Sequence, residues 1–108
     1  MPESQSSQGL FLRIYLSESD QMHGKPAVDA IIDQCRQINI HGITVLRGIE
    51  GVGTHGLHTS SVLSLSSHLP LIVEIVDSHE QINKALEALK LELKDKLVVT
   101  WPVNLIRT

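Results

Sequence analysis

Residues 69–106 read LPLIVEIVDSHEQINKALEALKLELKDKLVVTWPVNLI, and the places where the period changes within them decide the fold. LPLIVEIV is a run of branched apolar residues of strand length and strand composition. Ser78, followed three residues later by Gln81, has the form of a capping box, so a helix is expected to start there. Ile82, Ala85, Leu86, Leu89 and Leu93 then recur at the spacing of one helical stripe. LVVTWPVNLI closes the stretch as another strand. Pro102 assigns that strand to an edge or a bulge, because proline has no amide to give to a central ladder.

Working back toward the amino terminus, the same plan appears once more. LFLRIYL alternates Leu10, Leu12, Ile14 and Leu16 with Phe11, Arg13 and Tyr15, which is strand period. The loop SESDQMHGKP follows, and Pro26 suits the first turn of a helix whose apolar positions are Val28, Ile31, Ile32, Cys35 and Ile38. Gly42 is the expected stop, and ITVLRGI makes the next strand. The order is therefore βαββαβ, which is an α+β, ferredoxin-like plan: an antiparallel four-stranded sheet with two helices on one face. Residues 1–9 read as a disordered tail and 10–108 as a single domain with a long loop at about 51–68.

Helices on one side leave the other side of the sheet open. It would present Phe11 and Tyr15 together with either Ile72 and Val76 or Leu71, Val73 and Ile75, mixed with Arg13 and Glu74. A face this apolar is expected to be buried in an oligomer.

Composition excludes several classes of function. A formal charge of -3, from 9 basic and 12 acidic residues, offers no basic field for a nucleic acid, although a few local donors still suffice for one small phosphate. The single Cys35 falls in a helical apolar pattern and reads as a reduced core thiol, which suits a cytoplasmic protein. The start MPESQSSQ lacks the cationic and apolar regions of a signal peptide, and no apolar run approaches a membrane span of about 20 residues.

Residues 47–70, RGIEGVGTHGLHTSSVLSLSSHLP, hold four glycines and many hydroxyls where a hairpin turn would be expected. Unstructured connections longer than about 12–15 residues are usually functional or disordered, so a mobile ligand loop is expected. Gly48, Gly51, Gly53 and Gly56 allow close backbone approach, so consecutive amides could turn toward an anion. Arg47 and Glu50 flank the entrance, where they could bind a ligand or pair with each other.

LRIYLSESD, HGKP, GITVLRGIEGVG, the His58–Thr59 pair, LPLIVEIVDS and the closing NLIRT resemble the UPF family known as domain of unknown function 190, whose members look like PII signalling proteins. The resemblance covers residues 10–108. It implies a ferredoxin-like homotrimer with its sheets facing inward, a T-loop between the second and third strands, and an adenine nucleotide in clefts between subunits. Such proteins are non-enzymatic regulators that signal through the T-loop to a protein partner, often a membrane transporter or channel. Gly51 and Gly53 look like the two glycines at the T-loop base, and Gly56, His58 and Thr59 look like the turn that follows. The chain departs from the pattern by reading THGL, without the usual basic and glutamine residues, which weighs against PII-style magnesium and 2-oxoglutarate binding. It also reads LKLELKDKLVV where PII proteins carry a glycine-rich phosphate loop. Phosphates would then rely on Lys25, Arg47 and Arg107, which favours AMP or ADP over ATP. The implied nucleotide set is Lys25, Arg47, Gly48, Glu50, Gly51, Gly53, His58 and Arg107.

An alternative is a metal-responsive trimer of the same fold using His55, His58 and His23, although no nearby cysteine or carboxylate completes a ligand set. Catalysis finds no support. There is no GxSxG elbow for the serines, and SESDQMHGKP lacks the arginine-bearing phosphate loop of an acylphosphatase.

Overall fold

The computed structural model describes residues 5–53, 56–59 and 69–107. In chain order the elements are β1 (Gln5–Ser17), β2 (Gln21–Met22), β3 (Lys25–Pro26), α1 (Ala27–Gln37), β4 (Ile43–Arg47), β5 (Glu50–Gly53), β6 (Gly56–Thr59), β7 (Pro70–Ser78), α2 (His79–Ala88) and β8 (Leu97–Arg107). The main sheet has the antiparallel order β4-β7-β1-β8, so the predicted ferredoxin-like plan of four strands and two helices is the one observed.

The alternation in β1 sorts its side chains as the period requires. Leu12, Ile14 and Leu16 are buried, and Leu71, Val73 and Ile75 of β7 join them. Ile31 and Cys35 of α1, Ile82 and Ala85 of α2, and Leu89 beyond it close over that face to make one aliphatic core. Burial there pushes the Cys35 thiol up to about 11, so Cys35 is a neutral packing group, as expected. Ile72, Glu74 and Val76 therefore belong to the open face, which resolves the choice that the sequence left between two sets in that strand.

The helix ends follow local chemistry. Ser78 Oγ accepts from the Gln81 amide at 3.2 Å, as a capping residue should. The second half of the capping box is not made. The Ser78 amide donates to Asp77 Oδ1 at 2.7 Å, while Gln81 Nε2 reaches across to the Ile38 carbonyl at 3.1 Å and ties the start of α2 to the end of α1. Helix α1 stops at Gln37 rather than running on to Gly42, because Asn39 turns the chain with φ 65. Pro102 lies in β8, an outermost strand where a missing amide costs no ladder bond.

β1 and the long loop also differ from what the sequence predicts. β1 begins at Gln5, inside the stretch expected to be a tail, since Gln5–Gly9 pair with Arg107–Val103 of β8. Ladder bonds come from the backbone and need no apolar side chain, so the polar segment gave no sign of them. The long loop also contains structure. β5 and β6 form an antiparallel ribbon with Gly51 opposite His58 and Gly53 opposite Gly56. Of the stretch expected to be mobile, Gly51 to about His68, residues 54–55 and 60–68 lie outside the described residues.

Candidate functional site

β1 and β4 finish at the end of the main sheet where β7 and β8 begin, and the β5–β6 ribbon leaves the sheet from that end. Backbone bonds fix this corner. The Glu18 amide donates to the Leu69 carbonyl at 2.9 Å and the Gly48 amide to the Pro70 carbonyl at 2.8 Å. A Cβ on Gly48 would lie 2.6 Å from Pro70 Cγ, so glycine is what lets the loop entrance lie against the first residue of β7. With its amide committed to Pro70, Gly48 serves the corner by close packing.

Charged side chains crowd the same corner, each cation beside an acid. Arg47 sits two strands away from the end of β1, and its side chain crosses β7 to reach Glu18. Nε meets Oε1, and Nη2 donates to Oε2 at 3.3 Å. Arg47 thus pairs with Glu18, 29 residues earlier, a partner that the sequence did not offer. The side chains of Glu50 and His58 lie outside the described residues, and the backbone places both, with Gly51 and Gly53, in the ribbon. Lys96 Nζ is 3.5 Å from Asp20 Oδ2, and the Asp20 carbonyl receives the first amide of α1, from Ala27, at 2.8 Å.

Lys25 belongs to the β2–β3 hairpin, where His23 and Gly24 take left-handed φ values of 56 and 76. Its ammonium is bonded to Asp33 in α1, and this bond, followed by the charge itself, holds the Asp33 carboxyl below its ordinary range. Lys25 and Asp33 line a groove of about 650 Å³ along the outside of α1 with His23, Arg36, Gln37 and His41. Arg47 and Gly48 do not line it. Behind the hairpin, Glu92 is 3 % exposed; its Oε1 lies 3.7 Å from His23 Nε2, and its Oε2 has no hydrogen-bond partner among the described residues. A lone glutamate in LKLELKDKL gave no signal of that burial.

Arg107 pairs with Gln5, at the far end of β1 from Leu16, the level of Arg47. Eleven residues of strand at about 3.3 Å each separate those levels, roughly 36 Å. Within one chain, Arg107 and Arg47 therefore cannot hold the same small ligand. Among the described residues no three His, Cys, Asp or Glu side chains converge on a metal position; His55 and the side chain of His58 lie outside them.

The open face of the sheet has its own order. Phe11 stacks on Trp101 with centroids 4.3 Å apart and planes 11° from parallel. The Arg13 guanidinium lies 5.6 Å from the Phe11 centroid and 5.2 Å from that of Trp101, and donates to Glu74 Oε2 through Nε at 2.9 Å and Nη2 at 2.6 Å. Hydrogen bonds to Tyr15 and then Glu74 raise its pKa further, so Arg13 is a permanent cation here. Around it stand Leu46, Val76 and Leu97, all exposed.

The chain has relatives in sequence and in fold. Residues 9–105 match the family model DUF190, described as Uncharacterized ACR. A UPF0166 protein of Aquifex aeolicus is 36% identical over 80 residues, covering 73% of this chain and 76% of the relative. A UPF0166 protein of Methanocaldococcus jannaschii is 38% identical over 78 residues, covering 72% of each. Among solved structures, CPII, a nitrogen regulatory PII-like protein from Thiomonas intermedia K12 bound to ADP, AMP and bicarbonate, superposes with a TM-score of 0.65 at 14% identity, over 95% of this chain and 91% of that one. A DUF3240 family protein from Shewanella baltica gives 0.54 at 20% identity, over 89% and 87%. The solved structures share the fold with this chain.

Proposed function

Since the chain belongs to the DUF190 family, whose UPF0166 members it resembles over most of its length, we propose that it is a non-enzymatic, PII-like regulatory protein that binds an adenine nucleotide at subunit interfaces of a homotrimer. One observation carries the reading: the fold matches, over 95% of the chain, a PII-like protein whose structure holds ADP and AMP. Occupancy is signalled through the loop that begins at Gly48 to a protein partner of the transporter or channel class, and the protein works in the cytoplasm.

The geometry supports the reading in two ways. Arg47 and Gly48 stand at the mouth of the ribbon, where a bound phosphate and the loop are in reach of one another. Arg107, about 36 Å along the sheet in its own chain, can join Arg47 only from a neighbouring subunit, which suits an interfacial site. Lys25, Glu50, Gly51, Gly53 and His58 complete the proposed nucleotide set. Residues 89–96 hold lysines and a left-handed Asp95 in place of glycines, so phosphates meet side-chain cations and not a cradle of amides. This favours the short phosphates of AMP and ADP over ATP.

Thermal-shift titration with AMP, ADP, ATP, cyclic AMP and divalent metals tests the proposal. A nucleotide at a hundred times its Kd stabilises the fold by about 2.7 kcal/mol, and AMP or ADP is expected to give the largest shift. A response to metals with none to nucleotides would replace this reading with the histidine-based one.

A further inference from the structure

The side chain at the loop mouth best placed to attract a phosphate is already occupied by an acid of its own chain. Glu18 takes Arg47 side-on, through Nε and Nη2, the fork that a carboxylate or phosphate oxygen pair would otherwise use. Glu18 is held for this. Its amide extends the β1–β7 ladder by bonding Leu69, and its side chain is only 20% exposed against 60% for Arg47. The pair also bridges three of the four strands. It links the end of β1 to the last residue of β4 across β7, and β4 leads through Gly48 into the ribbon.

We propose that Glu18 is an internal competitor for the anionic ligand of Arg47. The nucleotide phosphate displaces the carboxylate, and in doing so unfastens the tie between β1 and the loop entrance. This rests on the nucleotide reading above and adds to it a specificity residue and a route by which occupancy reaches the loop. An anion approaching the intact pair meets a neutral couple, with a carboxylate a few ångströms away, and must overcome that repulsion or break the bonds. A dianionic phosphate monoester is better equipped to do so than a monoanionic cyclic diester, because it brings more charge and two or more oxygens for the fork. Glu18 therefore selects for terminal phosphates. Because its backbone stays in the ladder, the carboxylate remains beside the site and can return when the ligand leaves.

Calorimetric titration of AMP and cyclic AMP into the full chain and into Glu18→Gln tests this. The side-chain amide of that variant carries no charge to hold the guanidinium, so AMP affinity is expected to rise about five- to ten-fold, and the preference for AMP over cyclic AMP to narrow. Glu18→Asp, which withdraws the carboxylate by one methylene, should shift affinity in the same direction by less. Combining Glu18→Gln with Arg47→Ala should abolish the gain. Weaker or unchanged AMP binding by Glu18→Gln, with the natural chain binding normally, overturns this inference alone and makes Glu18 a group that positions Arg47. A gain that persists without Arg47 overturns it as well. Failure of the natural chain to bind any adenine nucleotide overturns it together with the proposed function.

Discussion

Gly9 of β1 lies where β7 and β8 leave no room for a side chain. A Cβ built there would stand 2.6 Å from the Asp77 carbonyl oxygen and 2.7 Å from Leu105 Cδ1. The leucine side chain can turn away, but the carbonyl belongs to the β7 ladder and cannot. Gly9→Ala is expected to lose about 1–3 kcal/mol, as overpacking does in a close-packed interior, and chemical denaturation reads that loss directly. A variant as stable as the natural chain would mean that β1 and β7 can part by several tenths of an ångström at no cost. Glu18 and Arg47 make the same point for charge. Each is an ordinary surface residue in the sequence, and only their meeting across β7 gives either one a role.

At the scale of the element, α2 shows how a local signal is used in part and redirected in part. Ser78 caps the helix as SHEQ suggests, but Gln81 spends its side chain on the Ile38 carbonyl instead of turning back to its own cap. Ser78→Ala removes the acceptor of the Gln81 amide and should cost about 1 kcal/mol, near the middle of the range for caps of this kind. Thermal melting reads the loss as a lower midpoint. No change in the midpoint would show that Asp77, whose side chain already takes the Ser78 amide, supplies the cap by itself. The loop reads differently. Glycine-rich and hydroxyl-rich, it predicts no regular structure, yet Glu50–Gly53 and Gly56–Thr59 pair as a ribbon.

At the scale of the molecule, the open face is what the proposed trimer would bury. The Phe11–Trp101 stack, Arg13 with Glu74, and the exposed Leu46, Val76 and Leu97 make a face that water solvates poorly. The proposed trimer would cover it and would let Arg107 of one chain meet another chain's loop mouth. Sedimentation or light scattering at micromolar concentration should return three chain masses, and Trp101→Arg, which sets a second cation beside Arg13, should return one. A natural chain that runs as a monomer would leave the interfacial site without its second half.

By itself the sequence determined the order of the elements, the buried face of β1, the stripe of α2 and the cap at Ser78, and it narrowed the Pro102 strand to an edge or a bulge. Each is written in a local period or in the chemistry of one residue, and short-range geometry turns it into structure without reference to distant parts of the chain. The family resemblance was equally legible, because HGKP and VLRGIEG are contiguous. Tertiary structure alone decided that Gln5–Gly9 are strand, that Ile72 and Val76 face outward, that Glu92 is buried, that Arg47 binds Glu18, and that Arg107 lies a sheet-length away from Arg47. These depend on strand order and register. Pairing brings together residues far apart in sequence, so a carboxylate and a guanidinium 29 residues apart become neighbours only when β7 is laid between their strands.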